Sequence, residues 1–262
     1  MPLVFDHLAI NNHFELGATR DLFAALGFTL TPESHHSLGS MNQLVMFNGH
    51  YLELIGLPRN GERIRQELLE SPRGIDGLVF RSDDAEKTER QLRERGFLVQ
   101  PVQHFSREVE ANGERGEARF STVRLAPGSF SAGRVYFCQH HTPEWVWRAP
   151  WLQHANGVQA IDAVTIVAHD VQQETQAWRR LGAPDPAFRL QLLTPSSWRI
   201  FSAGLVDVDA QRSSQFAAIH FRGGQAQRLA GAAREAGLPF ALQTGRLLIA
   251  VPAIHTLLEF RL

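Results

Sequence analysis

Near the start of the chain, two side chains stand out for their chemistry. His7 is the only imidazole in Phe5-Asp6-His7-Leu8-Ala9-Ile10, and Glu53 the only carboxylate in Tyr51-Leu52-Glu53-Leu54-Ile55. Histidine changes charge near neutral pH and is the commonest metal ligand. An ionised carboxylate among apolar neighbours is costly to bury unless it is paired or holds a cation. Together they point to metal ligation, substrate contact or proton transfer. The blander alternatives are a core histidine bonded to a backbone carbonyl and an outward, solvated glutamate. His35-His36 and His140-His141 are adjacent pairs, so on extended chain their rings point opposite ways and at most one of each enters a pocket. Asn42 is of a type that orients a substrate oxygen, or that simply ends a strand edge. His220 reads as a core or sheet-surface histidine and Cys138 as a small buried side chain.

These residues need strands to hold them. Phe5–Ile10 reads as a strand, followed by a helix carrying Leu16, Leu22, Phe23 and Leu26 and ended by Gly27. Phe28–Thr31 alternates as a short second strand. Asn42–Phe47 and Tyr51–Ile55 flank Asn48-Gly49, a strong hairpin signal. The order β-α-β-β-β recurs from Ile75, Ile161 and Phe216, with helices expected over Asp83–Arg95, Val171–Leu181 and Gln225–Ala236. Arg59–Arg73 reads as a short helical connector. Strands are expected at Phe97–Val99, Phe120–Leu125, Gly133–Cys138, Phe188–Leu193, Ser197–Ala203, Phe240–Leu242, Arg246–Val251 and Thr256–Phe260. His104–Glu117 is polar, a long hairpin tip or a flap. Pro143 and Pro150 argue against one continuous helix in the crossover, whose Trp145, Trp147 and Trp151 are expected to pack between the halves. The expected organisation is a first half over 1–142, a linker over 143–157 and a second half over 158–262.

The 262 residues suffice for a large core, and the formal net charge of −1 carries no footprint for nucleic acid or an anionic membrane. Lys87 is the one lysine, leaving 25 arginines (26 minus 1); this reads as compositional bias. The lone Cys138 excludes an internal disulfide and fits a reducing compartment. No apolar run approaches a membrane span, and no secretory signal is visible, so a cytoplasmic protein is expected. No nucleophile elbow, phosphate loop or dinucleotide fingerprint is present, and no nucleotide cofactor is expected.

One β-α-β-β-β unit leaves a sheet face and an edge open, and pairing two units closes both. The expected fold class is therefore α+β: four βαβββ modules pairing into cup-shaped mixed sheets with helices outside. Here the chain resembles the vicinal oxygen chelate superfamily, in particular its glyoxalase-like and dihydroxybiphenyl-dioxygenase-like members. The resemblance rests on Phe5–Ile10, His36-Ser37-Leu38-Gly39-Ser40-Met41-Asn42, Tyr51–Ile55 and His140-His141-Thr142-Pro143-Glu144. It implies metal ligands on the first and last strands of paired modules. Carried over, these fall on His7 and Glu53, with Gly77 and about Phe137 in module two, Ala163 in module three, and Ala218 and Glu259 in module four. The implied set is His7, Glu53 and Glu259 around Fe, Mn, Ni or Zn, with His36, His140 and His141 as substitutes. That set needs module one to face module four, unless a substitute replaces Glu259. On its own, Glu259 reads as well as a partner for Arg246 or Arg261.

The resemblance implies a metal-dependent lyase, isomerase or dioxygenase acting on a small oxygenated substrate, with Glu53 as ligand or base and His36, Asn42 and His141 touching substrate. A competing reading is a metal-free binding or resistance protein on the same scaffold. A third makes the chain mainly a homodimeric structural partner.

Overall fold

The computed structural model describes residues 2–60, 64–111 and 113–262. In chain order the elements are β1 (Pro2–Leu3), β2 (Phe5–Asn11), α1 (Leu16–Ala25), β3 (Ser34–His35), β4 (Met41–Phe47), β5 (His50–Gly56), α2 (Gln66–Glu70), β6 (Gly74–Arg81), α3 (Ala85–Glu94), β7 (Gln103–Ala111), β8 (Glu114–Arg124) and β9 (Arg134–His140). After a crossover come β10 (Val158–Ala168), α4 (Val171–Leu181), β11 (Ala183–Pro184), β12 (Arg189–Leu193), α5 (Pro195–Phe201), β13 (Ser214–Gly223), α6 (Ala226–Glu235), β14 (Phe240–Gln243), β15 (Arg246–Val251) and β16 (Thr256–Arg261). No helix among the described residues is long and apolar enough to cross a membrane.

Neighbouring modules pair in sequence. The first sheet has eight strands in the order β3-β4-β5-β2-β6-β9-β8-β7, and the second six in the order β12-β10-β13-β16-β15-β14. In the first sheet the modules meet antiparallel at β2 and β6, with Leu8 opposite Leu78. Its two edges then curl together, His36 bridging Arg107 and the Ser37 amide donating to the Ser106 carbonyl at 3.0 Å. Curling removes both exposed edges and leaves an interior. Alternation along the strands assigns the faces. Leu8, Ile10, Leu52 and Leu54 join a core with α1, α3, α4 and α6, while Leu44, Met46, Tyr51 and Val79 face the interior. The core runs on into the second half, where Phe5 stacks on Phe188 at 3.9 Å and Phe28 meets Phe221 at 5.2 Å.

Several elements differ from expectation. Phe28–Thr31 is not a strand. It follows β4 through Thr31, whose amide donates to the Leu44 carbonyl and whose hydroxyl accepts from the Leu44 amide, both at 2.9 Å. Phe97–Val99 makes one bridge, Val99 to Leu125. Ser197–Ala203 is largely the helix α5, because Thr194 caps the Ser197 amide and Pro195 occupies the first turn. Module three therefore has one later strand in the second sheet, β12, parallel to β10, while the short β11 pairs with β1 instead. Trp198, Phe201 and Val206 fill the hollow of the second sheet against Val167, Ala218, Leu248 and Leu257. The connector residues 61–63 lie outside the described residues; α2 follows them.

The crossover docks on the first sheet. Asn156 donates through Nδ2 to the Leu26 carbonyl and through its amide to that of Gly27. Gly27 has φ +83, and any side chain there would press on Asn156. His154 bridges the Thr29 amide and the Met46 carbonyl at 3.1 and 3.0 Å. The tryptophans do not pack between the halves. Together with Val146 they cover the interior of the first sheet, Trp145 lying where a Cβ on Gly116 would sit.

Candidate functional site

The interior of the first sheet holds a cavity of about 570 Å³ including its mouth. His7 and Glu53 both line it, from the adjacent parallel strands β2 and β5, as does His36 from the turn after β3. All three are less than one-tenth exposed.

A β-bulge at Phe5–His7 lets adjacent side chains meet. The His7 Nδ1–H donates to Asp6 Oδ1 at 2.6 Å, and the ring stacks on Tyr51 at 4.3 Å between centroids. On the other side of the ring, Nε2 lies 3.9 Å from Glu53 Oε2. His36 repeats the arrangement. Its Nδ1 bonds Ser40 Oγ at 2.9 Å, and Nε2 lies 3.8 Å from Glu53 Oε1. The Asn42 amide donates to Glu53 Oε1 at 2.7 Å and reaches His36 Nε2 at 3.1 Å. A group with partial positive charge thus sits where two acceptors converge.

Electrostatics fixes the protonation states. Burial, with Arg107, Arg65 and His7 nearby, pushes His36 down to about 4 against the pull of Glu53, so the ring is neutral. Burial would raise Glu53, but His36, His7 and the Asn42 hydrogen bond outweigh it and hold the carboxylate below its usual value. Burial of Asp6 is likewise overcome by His140 and His7, which keep its carboxyl far below the ordinary range. His140 Nε2 lies 3.1 Å from both Asp6 oxygens. Asp6, Cys138 and His140 place their donor atoms within 4.8 Å of one another. Asp6 is engaged as the support behind His7, accepting from His7 and from His140, whose own Nδ1 has no partner among the described residues, and burial pushes the Cys138 thiol well up.

Module two contributes different groups. Tyr51 lies opposite His7, and Arg134 opposite Gly77, the residue related to His7 by the local two-fold. Two residues further along come Glu53 and Tyr136. Tyr136, rather than Phe137, therefore occupies the position matching Glu53, while Phe137 points the other way into the core. Burial raises the Tyr136 phenol, which stays protonated.

Of the residues singled out in the sequence, the fold brings together His7, Glu53, His36 and Asn42. It does not bring Glu259. Module four pairs with module three, and Glu259 on β16 lies in the second sheet, bonded to His220 and to Arg246 at 3.0 Å. His220 in turn meets Thr165 Oγ1 at 2.6 Å. His141 also lies elsewhere, exposed and bonded to Ser121 Oγ at 2.6 Å, because His140 takes the inward face. His35 is exposed for the same reason, opposite in sense to His36. Asp6, Tyr51, Arg107 and Tyr136 were not foreseen. For Arg107 a signal existed, since strict alternation over Phe105, Arg107 and Val109 puts an arginine on an apolar face.

No curated protein sequence matches the chain. Solved structures do. A hypothetical protein from Staphylococcus aureus is similar at TM-score 0.70, with 12% identity and 99% of each chain covered. A 4-hydroxymandelate synthase mutant from Streptomyces coelicolor is similar at TM-score 0.56, with 9% identity, covering 99% of this chain and 92% of that one. A catechol 2,3-dioxygenase is similar at TM-score 0.52, with 12% identity and the same coverages. At such identities the likeness concerns the fold, which is that of the vicinal oxygen chelate proteins. The model of the family described as "Glyoxalase-like domain" matches residues 5–182, from His7's strand through both modules of the first sheet to α4, and the chain belongs to that family.

Proposed function

We propose that the chain is a metal-dependent enzyme acting on a small oxygenated molecule inside the first sheet, with His7, His36 and Glu53 holding a divalent cation. One observation carries this reading: two imidazole Nε2 atoms flank the two oxygens of a single buried carboxylate, at 3.9 and 3.8 Å. Each ring is anchored through Nδ1, by Asp6 and by Ser40, the support that ligating histidines need. Two imidazoles and a carboxylate suit Fe(II) best, with Mn(II), Ni(II) and Zn(II) also compatible. The bound cation would polarise a substrate oxygen and favour loss of a proton or reaction with dioxygen.

The protein's own groups divide the remaining work. Glu53 stays ionised as ligand or as proton acceptor at Oε2, the oxygen that Asn42 leaves free. Asn42 holds Oε1 and orients the carboxylate. The Tyr136 phenol, kept protonated by burial, is a hydrogen-bond donor inside the cavity. The crossover tryptophans keep bulk water from that end of the sheet. Among lyase, isomerase and dioxygenase chemistry, the donor set and the dioxygenases among the similar structures favour the last.

A metal-free binding protein is the competing reading, supported by Gly77 and Tyr136 in place of a second ligand pair. Element-specific metal analysis, after loading and desalting, separates the two. The wild type should retain metal, and His7→Ala, His36→Ala and Glu53→Gln should each lose it. Equal and empty sites in all four proteins would sink the enzyme reading.

A further inference from the structure

At the seam where β3 and β7 meet, the partner of His36 in the closing bridge is Arg107. It lines the same cavity and is 3% exposed. Its Nη1 donates to Ser34 Oγ at 3.1 Å, while the buried Nη2 has no partner among the described residues. Each of the other cavity arginines has a carboxylate partner. Arg65 and Arg124 share Glu67 at 2.6 and 3.3 Å, and Arg134 pairs with Asp76 at 2.6 Å. No carboxylate among the described residues lies within ion-pair distance of Arg107. The four arginines lining the cavity therefore divide into three that have a carboxylate partner, Glu67 or Asp76, and Arg107, which has none among the described residues.

A guanidinium does not shed its charge by deprotonating, and a buried unpaired charge is strongly unfavourable unless something neutralises it. Glu53 is the nearest candidate, but Asn42 and the two imidazoles engage it. The surroundings of Arg107 are flat and apolar: its guanidinium lies 6.0 Å from the Phe120 ring, which stacks on Phe105 at 5.1 Å. A planar donor fork beside two aromatic faces matches a planar two-oxygen acceptor on an unsaturated body.

We propose that Arg107 anchors the carboxylate of a small aromatic or unsaturated acid, whose body lies on Phe105 and Phe120 and whose oxygenated carbon faces His7, His36 and Glu53. This rests on reading the cavity as the reaction site and narrows the substrate to an organic anion. The narrow interior excludes bulky acids, and a neutral analogue leaves the guanidinium unpaired.

The test uses chelator-treated protein, so that a metal cannot supply the anion site. Benzoate, benzamide and inorganic phosphate are titrated calorimetrically into the wild type, Arg107→Met and Arg107→Lys. Benzoate should bind the wild type at least about tenfold more tightly than benzamide, a margin set by one charge-assisted hydrogen bond. Arg107→Met should lose that preference and Arg107→Lys keep part of it. Equal binding of benzoate and benzamide, an undiminished preference in Arg107→Met, or phosphate binding as tightly as benzoate would overturn the proposal. Should Arg107→Met not fold, the wild-type comparison and Arg107→Lys decide. Metal retention is measured separately on the same proteins. Benzoate selectivity without metal uptake sinks the metal reading alone, and metal uptake without benzoate selectivity sinks this inference alone.

Discussion

Asp6 shows how much of the site rests on a residue that need not touch substrate. It is fully buried, accepts from His7 and His140, and is approached by Arg81 at 3.4 Å. Asp6→Asn keeps the volume but removes the charge that orients both rings. It should cost about 3 kcal/mol of stability, the scale of breaking a buried charged pair, read as a lowered urea midpoint. It should also weaken metal retention by about tenfold or more, the usual effect of removing a ligand's support. Unchanged metal retention would mean that Asp6 only packs. His36 carries a similar lesson. Its usefulness comes from burial, which keeps its ring neutral, and from Ser40, which turns the lone pair of Nε2 inward.

The elements divide the two sheets into one with a hollow and one without. In the first, the long β7–β8 hairpin curls to meet β3 and encloses the cavity. In the second, α5 occupies the space where further strands of module three would stand, and its Trp198 donates to the Val206 carbonyl at 2.9 Å. The buried His220–Glu259 pair beneath it is thereby shut off, packed against Phe201. α5 depends on its cap. Thr194→Ala should cost about 1 kcal/mol, seen as a shifted urea midpoint at constant slope, while metal retention in the first sheet stays unchanged. A variant as stable as the wild type would show that α5 is held by packing alone.

At the scale of the whole molecule, the halves are joined by the shared core and by His50, whose Nε2 accepts the Ile161 amide at 2.9 Å. Burial, aided by Arg222 and Arg81 and opposed by Asp6, lowers His50 from 6.5 to about 4. Between these values the unfolded chain binds the proton and the folded chain does not. The contribution is therefore complete above about pH 6.5 and is lost as pH falls toward 4, by up to about 1.4 kcal/mol per pH unit. His50→Gln, which can still accept from Ile161, should flatten that part of the stability–pH curve in urea titrations. Identical curves for both proteins would place the acid sensitivity elsewhere.

Much of this was legible in the sequence because it is local. Alternation along a strand assigns His7 and Glu53 to faces, Asn48-Gly49 sets the β4–β5 hairpin, and the repeated strand–helix pattern implies paired modules. Helix α4 runs from Val171 to Leu181 as its periodicity and Gly182 require. What the tertiary structure alone decided is which distant strands pair and in what register. Modules one and two face each other, so Glu259 cannot join His7; a one-residue difference in register makes Tyr136, not Phe137, the cavity residue. The closing bridge brings Arg107 to His36 across a long stretch of intervening chain. Local chemistry specifies the faces a strand presents, but the neighbour it presents them to is chosen by global packing, and the site depends on that choice.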